Sequence, residues 1–178
     1  MASGALNPFE ITERERVAGQ EYLEALRNLG FEPSVLCWIV EQTEGDAYEK
    51  RLAVVTSLVD RMGPSTIYEL LFKAYDAAAT PQLIDPFIVA LYSPLSIGGS
   101  ILYQKTSADL VSRARSQLTQ ADLEKPGSIM MMPSADDARV VMQVLDRGIY
   151  VSQRQHYSAV ADIRRFRVFQ KRVEKLAA

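Results

Sequence analysis

Three segments of the sequence carry the same signature of a helix start, a threonine or aspartate followed three positions later by a glutamate. They are Thr12–Glu15, Asp46–Glu49 and Thr66–Glu69. In such a capping box the first side chain accepts a hydrogen bond from the helix backbone and the glutamate returns one. Apolar residues follow each start at intervals of three and four residues, and Gly30 and Gly63 supply stops. The pattern predicts helices over about 12–29, 46–62 and 66–78, the last two packed as a hairpin.

Shorter segments fill most of the remaining chain. Pro33 can open a short apolar helix through about Val40, whereas residues 87–92 fit a buried helix or a short strand. Capping residues and apolar spacing predict further helices from Ser107, Ser134 and Ser158. The fold class that we expect is therefore mainly α, a single-domain helical bundle of seven or eight helices with room for two short strands near 129–132 and 149–152.

The composition is that of an ordinary folded domain. With 178 residues, 48% of them hydrophobic and 24% charged, the chain suits one domain, 1–178, that needs neither a metal nor a disulfide to fold. Cys37 is the only cysteine, and its apolar neighbours favour a buried side chain over a reactive thiol. The first residues lack the features of a secretory signal, and the apolar runs are shorter than the roughly 20 residues that span a bilayer. We therefore expect a cytoplasmic location and no transmembrane segment.

The charge of the chain is divided unevenly along its length. Residues 139–178 hold nine Lys or Arg against three Asp or Glu, a net of +6, whereas residues 1–138 hold eleven against nineteen, a net of −8. The overall charge of −2 hides this division. A basic segment of this kind is a recognised indication of an anionic partner.

The last predicted helix, residues 158–176, carries most of this positive charge. On a helical wheel its apolar residues fall on one side, and they are Phe166, Phe169, Val173 and Leu176. Six basic residues gather around the other side and form the predicted partner-binding site: Arg164, Arg165, Arg167, Lys171, Arg172 and Lys175. Arg154 is an outlying contact.

Two interpretations of this basic amphipathic helix stay open. It can contact an anionic partner, because nucleic acid, an anionic membrane surface, an acidic protein face and a second subunit all offer negative charge to lysine and arginine. It can also be an ordinary terminal helix that packs on the core, with its cations in water or paired with the upstream glutamates Glu10, Glu13, Glu15, Glu21 and Glu24. The first interpretation predicts a non-enzymatic interaction or assembly protein that binds nucleic acid or an acidic protein face, or forms a homo-oligomer.

A small helical enzyme or nucleotide-binding protein is the alternative. Residues 99–106 match the spacing of a phosphate-binding loop, but the second glycine is missing and bulky residues such as Tyr103 fill the loop. His156 is the only histidine, which excludes a histidine-based metal cluster. The alternative therefore places a pocket near the loop 93–106, while the preferred interpretation has no catalytic residue, cofactor or metal.

Overall fold

The computed structural model of the protein describes residues 11–42, 48–96, 99, 129–131, 140–143, 149–152 and 159–178. Within them the backbone forms four helices, which are α1 (Glu13–Leu29), α2 (Leu58–Met62), α3 (Pro64–Asp76) and α4 (Ala159–Ala177). It also forms six strands, which are β1 (Val35–Gln42), β2 (Tyr48–Val55), β3 (Val89–Tyr92), β4 (Ile129–Met131), β5 (Val140–Gln143) and β6 (Ile149–Ser152). A 3-10 turn, Pro86–Ile88, leads into β3.

The strands form one mixed sheet in the order β3-β2-β1-β5-β4. β1 and β2 are an antiparallel hairpin paired along the whole length of both strands. The other edge of β1 pairs antiparallel with two strands, β6 beside residues 35–37 and β5 beside residues 39–41. β3 runs parallel to β2, so α2 and α3 form the crossover connection that a parallel pair requires.

The sequence signals define both ends of α1. Glu15 N donates to Thr12 Oγ1 at 3.2 Å and Thr12 N donates to Glu15 Oε2 at 2.9 Å, so the predicted capping box is confirmed. Gly30 ends the helix with a φ of 95°, a left-handed conformation that favours glycine. A Cβ at Gly30 would also lie 3.1 Å from Val168 Cγ1 of α4. This glycine therefore ends α1 and allows α4 to approach closely.

Helices α1, α3 and α4 cover one face of the sheet. Side chains alternate between the two faces of a strand, and those of the hairpin that join the helical core are Leu36, Trp38, Leu52 and Val54. The helices contribute Tyr22, Leu26, Ile67, Leu71, Phe169 and Val173 to the same core. The side chains that point to the opposite face are buried as well, among them Val35, Cys37, Ala53 and Val55. The central hairpin is thus buried on both faces.

Tyr68 of α3 closes the outer edge of β3, which is the edge strand of the sheet in the described part of the chain. Its hydroxyl donates to Val89 O at 2.8 Å and accepts from Leu91 N at 3.3 Å. Val89 N donates to Pro86 O of the preceding turn. Successive residues of a strand direct their backbone N–H and C=O groups to alternate sides. The backbone groups of Val89 and Leu91 therefore face away from β2. The edge therefore has few free backbone groups for another strand.

The prediction of an all-α bundle of seven or eight helices is wrong. Residues 33–40 and much of 46–62, predicted as helices, form β1 and β2, and the segment that starts at Ser134 contains β5. The predicted helical hairpin is accordingly replaced by a strand followed by α2 and α3. A strand buried on both faces carries apolar residues at consecutive positions and shows no alternation. Residues 52–55, all of them buried, fit helical spacing as easily as they fit a strand.

The remaining segments show three outcomes. Residues 87–92, for which helix and strand were both open, contain part of the 3-10 turn and β3. β4 and β6 lie where short strands are predicted, but they belong to the large sheet rather than to a helical bundle. The helix predicted from Ser107 lies outside the described residues.

Candidate functional site

The apolar side of α4 is packed into the protein core. Phe166 is 3% exposed, and Phe169 and Val173 are fully buried. The ring of Phe169 meets Phe31 in an edge-to-face contact with 5.2 Å between centroids. Only Leu176, near the end of the helix and 52% exposed, departs from the predicted apolar side. The orientation of α4 is therefore set by three anchors, and its opposite side faces the solvent.

All six predicted partner-binding residues are exposed on α4. We call them the cationic face, and they are Arg164, Arg165, Arg167, Lys171, Arg172 and Lys175. Arg164, Lys171 and Lys175 lie directly opposite the buried anchors at 100° per residue, with the other cations on the flanks. None of the salt bridges between described residues involves the cationic face. Its charge is therefore not neutralised by carboxylates in this part of the chain.

Of the upstream glutamates that could pair with α4, Glu13 and Glu15 have other partners in the structure. Glu13 pairs with Arg16 at 2.7 Å, and Glu15 pairs with Lys50 at 2.6 Å. Burial raises the pKa of Glu15, but hydrogen bonds from Lys50 and within the capping box outweigh it and hold the pKa below its ordinary value. Glu10 lies outside the described residues. Among the described ion pairs, none joins α1 to α4.

Arg172 has a structural contact as well as an exposed charge. Its Nη1 donates to Asn28 O at 2.6 Å, in the last turn of α1. A cation at the end of a helix satisfies an orphan carbonyl and interacts favourably with the negative end of the helix dipole. Arg172 therefore joins α4 to α1, which makes it a poor choice for testing partner binding alone.

Arg165 lines a groove at the end of the β1–β2 hairpin. The inner part of this open groove lies between Ser34, Thr56, Phe166 and Arg165. Its outer, more open part is lined by Arg165 and by Glu32. In this groove a side chain of the cationic face meets a concave surface that contains polar residues. The sequence analysis missed Ser34 and Thr56, because only strand pairing brings them together.

The loop that the alternative function requires is described only in part. Ser93 Oγ donates to Asp60 Oδ2 at 2.7 Å and accepts from Leu95 N at 2.9 Å. Gly99 N donates to Ser96 Oγ at 3.1 Å. These contacts tie the start of the loop to α2, and residues 100–106 lie outside the described residues. The pocket predicted there stays a prediction.

The other sequence candidates are either buried or lie outside the described residues. Cys37 is fully buried, and this burial raises the pKa of its thiol to about 12, which keeps it protonated near neutral pH. Arg154 and His156 lie outside the described residues. The described residues contain no cluster of His, Cys, Asp or Glu with the arrangement of a metal site. None of the helices described here has the length and apolar character to span a membrane.

Comparisons with the models of known protein families, with curated protein sequences and with solved structures find no match for this chain.

Proposed function

We propose that this protein binds the phosphate backbone of nucleic acid through the cationic face of α4. The observation that carries the proposal is that six cations are exposed together on a helix whose apolar side is already buried. Arg164 and Lys175 are separated by about 16 Å along the helix axis at 1.5 Å per residue. Duplex DNA presents one negative charge per about 1.7 Å of its own axis, so several phosphates lie within reach of this surface.

The packing of α4 argues against the membrane alternative. A helix that lies on a lipid surface buries its apolar side among the acyl chains. In this protein Phe166, Phe169 and Val173 are already buried in the core. Membrane insertion would require α4 to leave contacts that stabilise the fold.

The composition of the exposed side favours nucleic acid over an acidic protein. The centres of protein interfaces are rich in aromatic and aliphatic anchors that fill pockets of the partner. Among its described side chains, the exposed side of α4 offers only Val168, 43% exposed, and Leu176 as larger apolar residues. Contacts to phosphates need no such anchors, because lysine and arginine supply charge and hydrogen bonds.

Fluorescence anisotropy with a labelled duplex of about 20 base pairs tests the proposal. The variant Arg164→Gln/Lys171→Gln removes two cations that have no partner among the described residues, and Arg14→Gln/Arg61→Gln removes two exposed cations outside α4. Both variants change the net charge equally. We expect the α4 variant to bind roughly tenfold or more weakly, since each lost phosphate contact removes a counterion-release contribution. The control should bind within about twofold of the unchanged protein.

Equal losses in the two variants, or no binding to the duplex at low salt, would contradict the proposal. Self-association that is lost only in the α4 variant, together with no duplex binding, would instead favour a second subunit as the partner.

A further inference from the structure

Two nearly buried residues with hydroxyl side chains lie where the β1–β2 hairpin ends. Ser34 N donates to Val55 O at 2.9 Å just before β1 begins, and Thr56 directly follows β2, so the two residues flank the same end of the hairpin. Both line the groove beside Phe166 of α4. Ser34 and Thr56 are each 3% exposed.

Both hydroxyls have a hydrogen to donate. Thr56 Oγ1 accepts from Leu58 N at 3.3 Å, and this bond does not use the hydroxyl hydrogen. Ser34 Oγ makes no hydrogen bond with any of the described residues. Buried polar groups are usually hydrogen-bonded, so both hydroxyls are available to an acceptor that enters the groove. Both line the groove, where such an acceptor can reach them.

Arg165 supplies a positive charge at the mouth of the same groove. Glu32 also lines it, but both oxygens of its carboxylate are held by Arg27, with Nε at 3.1 and 3.0 Å and Nη2 at 2.9 Å. This pair is neutral as a unit, which leaves the guanidinium of Arg165 to set the sign of the local charge. The groove therefore favours an anion.

We propose that this groove binds a single phosphate group, with Arg165 at its mouth and the hydroxyls of Ser34 and Thr56 at its base. A tetrahedral oxyanion can accept hydrogen bonds from several directions at once, and arginine binds such groups with paired donors. The space at the inner end of the groove is small, so it suits one small group rather than a larger ligand. This site shares Arg165 with the cationic face, but it takes one phosphate in a groove rather than a row of phosphates on a helix.

Thermal unfolding with inorganic phosphate, against sodium chloride of equal ionic strength, tests the site. The variants are Arg165→Gln, Ser34→Ala and the matched control Arg164→Gln, which removes the neighbouring charge but does not line the groove. We expect phosphate to raise the Tm of the unchanged protein and of the control in a saturable manner. The apparent Kd should be about tenfold or more weaker for Arg165→Gln and weaker for Ser34→Ala. An equal rise in all four proteins would be a general salt effect and would overturn the proposal.

A second measurement distinguishes the sources of the phosphate group. Two single-stranded oligonucleotides of identical sequence are compared, one with a 5′-phosphate and one with a 5′-hydroxyl. A preference for the phosphorylated strand that disappears in Arg165→Gln would support a terminal phosphate of nucleic acid. Saturable binding of inorganic phosphate without this preference would support free phosphate as the ligand.

If neither phosphate form shows a dependence on Arg165, the groove is not a phosphate site. Binding of the duplex with equal losses in Arg164→Gln and Arg165→Gln would leave the proposed backbone contact intact, so the two proposals fail separately.

Discussion

Removing the hydroxyl of Tyr68 should destabilise the protein by opening the edge of β3. The substitution Tyr68→Phe keeps the ring but deletes the group that donates to Val89 O at 2.8 Å and accepts from Leu91 N at 3.3 Å. Each hydrogen bond contributes about 1 kcal/mol net, and a partly buried group left without a partner costs about 1–3 kcal/mol. We therefore expect a loss of about 2 kcal/mol. For a protein of this length that corresponds to a Tm lower by roughly 4–8 °C.

The matched control for this change is Tyr75→Phe on the same helix. The hydroxyl of Tyr75 donates to Gln82 O at 3.2 Å in an exposed position. Water can replace this bond, so its loss should change stability by no more than about 0.5 kcal/mol. Urea unfolding followed by circular dichroism gives both free energies. The reasoning would be refuted if the two variants lost the same stability, or if Tyr68→Phe lost none.

Three further predictions concern single buried or partly buried groups. Cys37 should react with a thiol reagent only when urea unfolds the protein, because burial raises its pKa to about 12, and rapid labelling of the native protein would contradict this. Tyr22→Phe should stabilise the protein by about 1 kcal/mol in thermal unfolding, because the buried Tyr22 hydroxyl has no hydrogen-bond partner among the described residues, and a loss of stability would oppose this. Glu15→Gln should lower the free energy of unfolding at neutral pH but should have little effect well below the pKa of Glu15. Because the folded state lowers this pKa, the stabilising contribution of the Glu15 carboxylate is present above about pH 4.5 and is lost as the pH falls through the pKa of the folded state. If the free energy of unfolding differed from that of the unchanged protein by the same amount at every pH, the ion pair with Lys50 would be contradicted.

Local signals were sufficient to predict α1. The capping box at Thr12 and the left-handed Gly30 act within one helical turn, and their effects do not depend on distant parts of the chain. The exposure of the cations of α4 could be predicted in the same way from helical periodicity, because its apolar residues lie on one side of the helix and pack into the core. Periodicity is a strong guide when one side of an element is buried and the other meets water.

The central hairpin could not be predicted in this way. Its strands are buried on both faces, so the apolar residues of β2 follow one another without the alternation that identifies a half-exposed strand. The groove was hidden for a related reason. Ser34 and Thr56 come to the same end of the hairpin because its strands pair, and Arg165 lines the same groove from a helix more than a hundred residues away in the sequence. Contacts of this kind between distant residues cannot be predicted from their spacing in the sequence.

The salt dependence of duplex binding tests the role of the cationic face most directly. The logarithm of the association constant falls linearly with the logarithm of salt concentration, with a slope of about −0.9 for each phosphate contact. Arg164→Gln/Lys171→Gln removes two such contacts, so we expect its slope to be shallower than that of the unchanged protein by about 1.8. A slope that stays the same in this variant, or that changes equally in Arg14→Gln/Arg61→Gln, would contradict the assignment of α4 as the nucleic-acid contact.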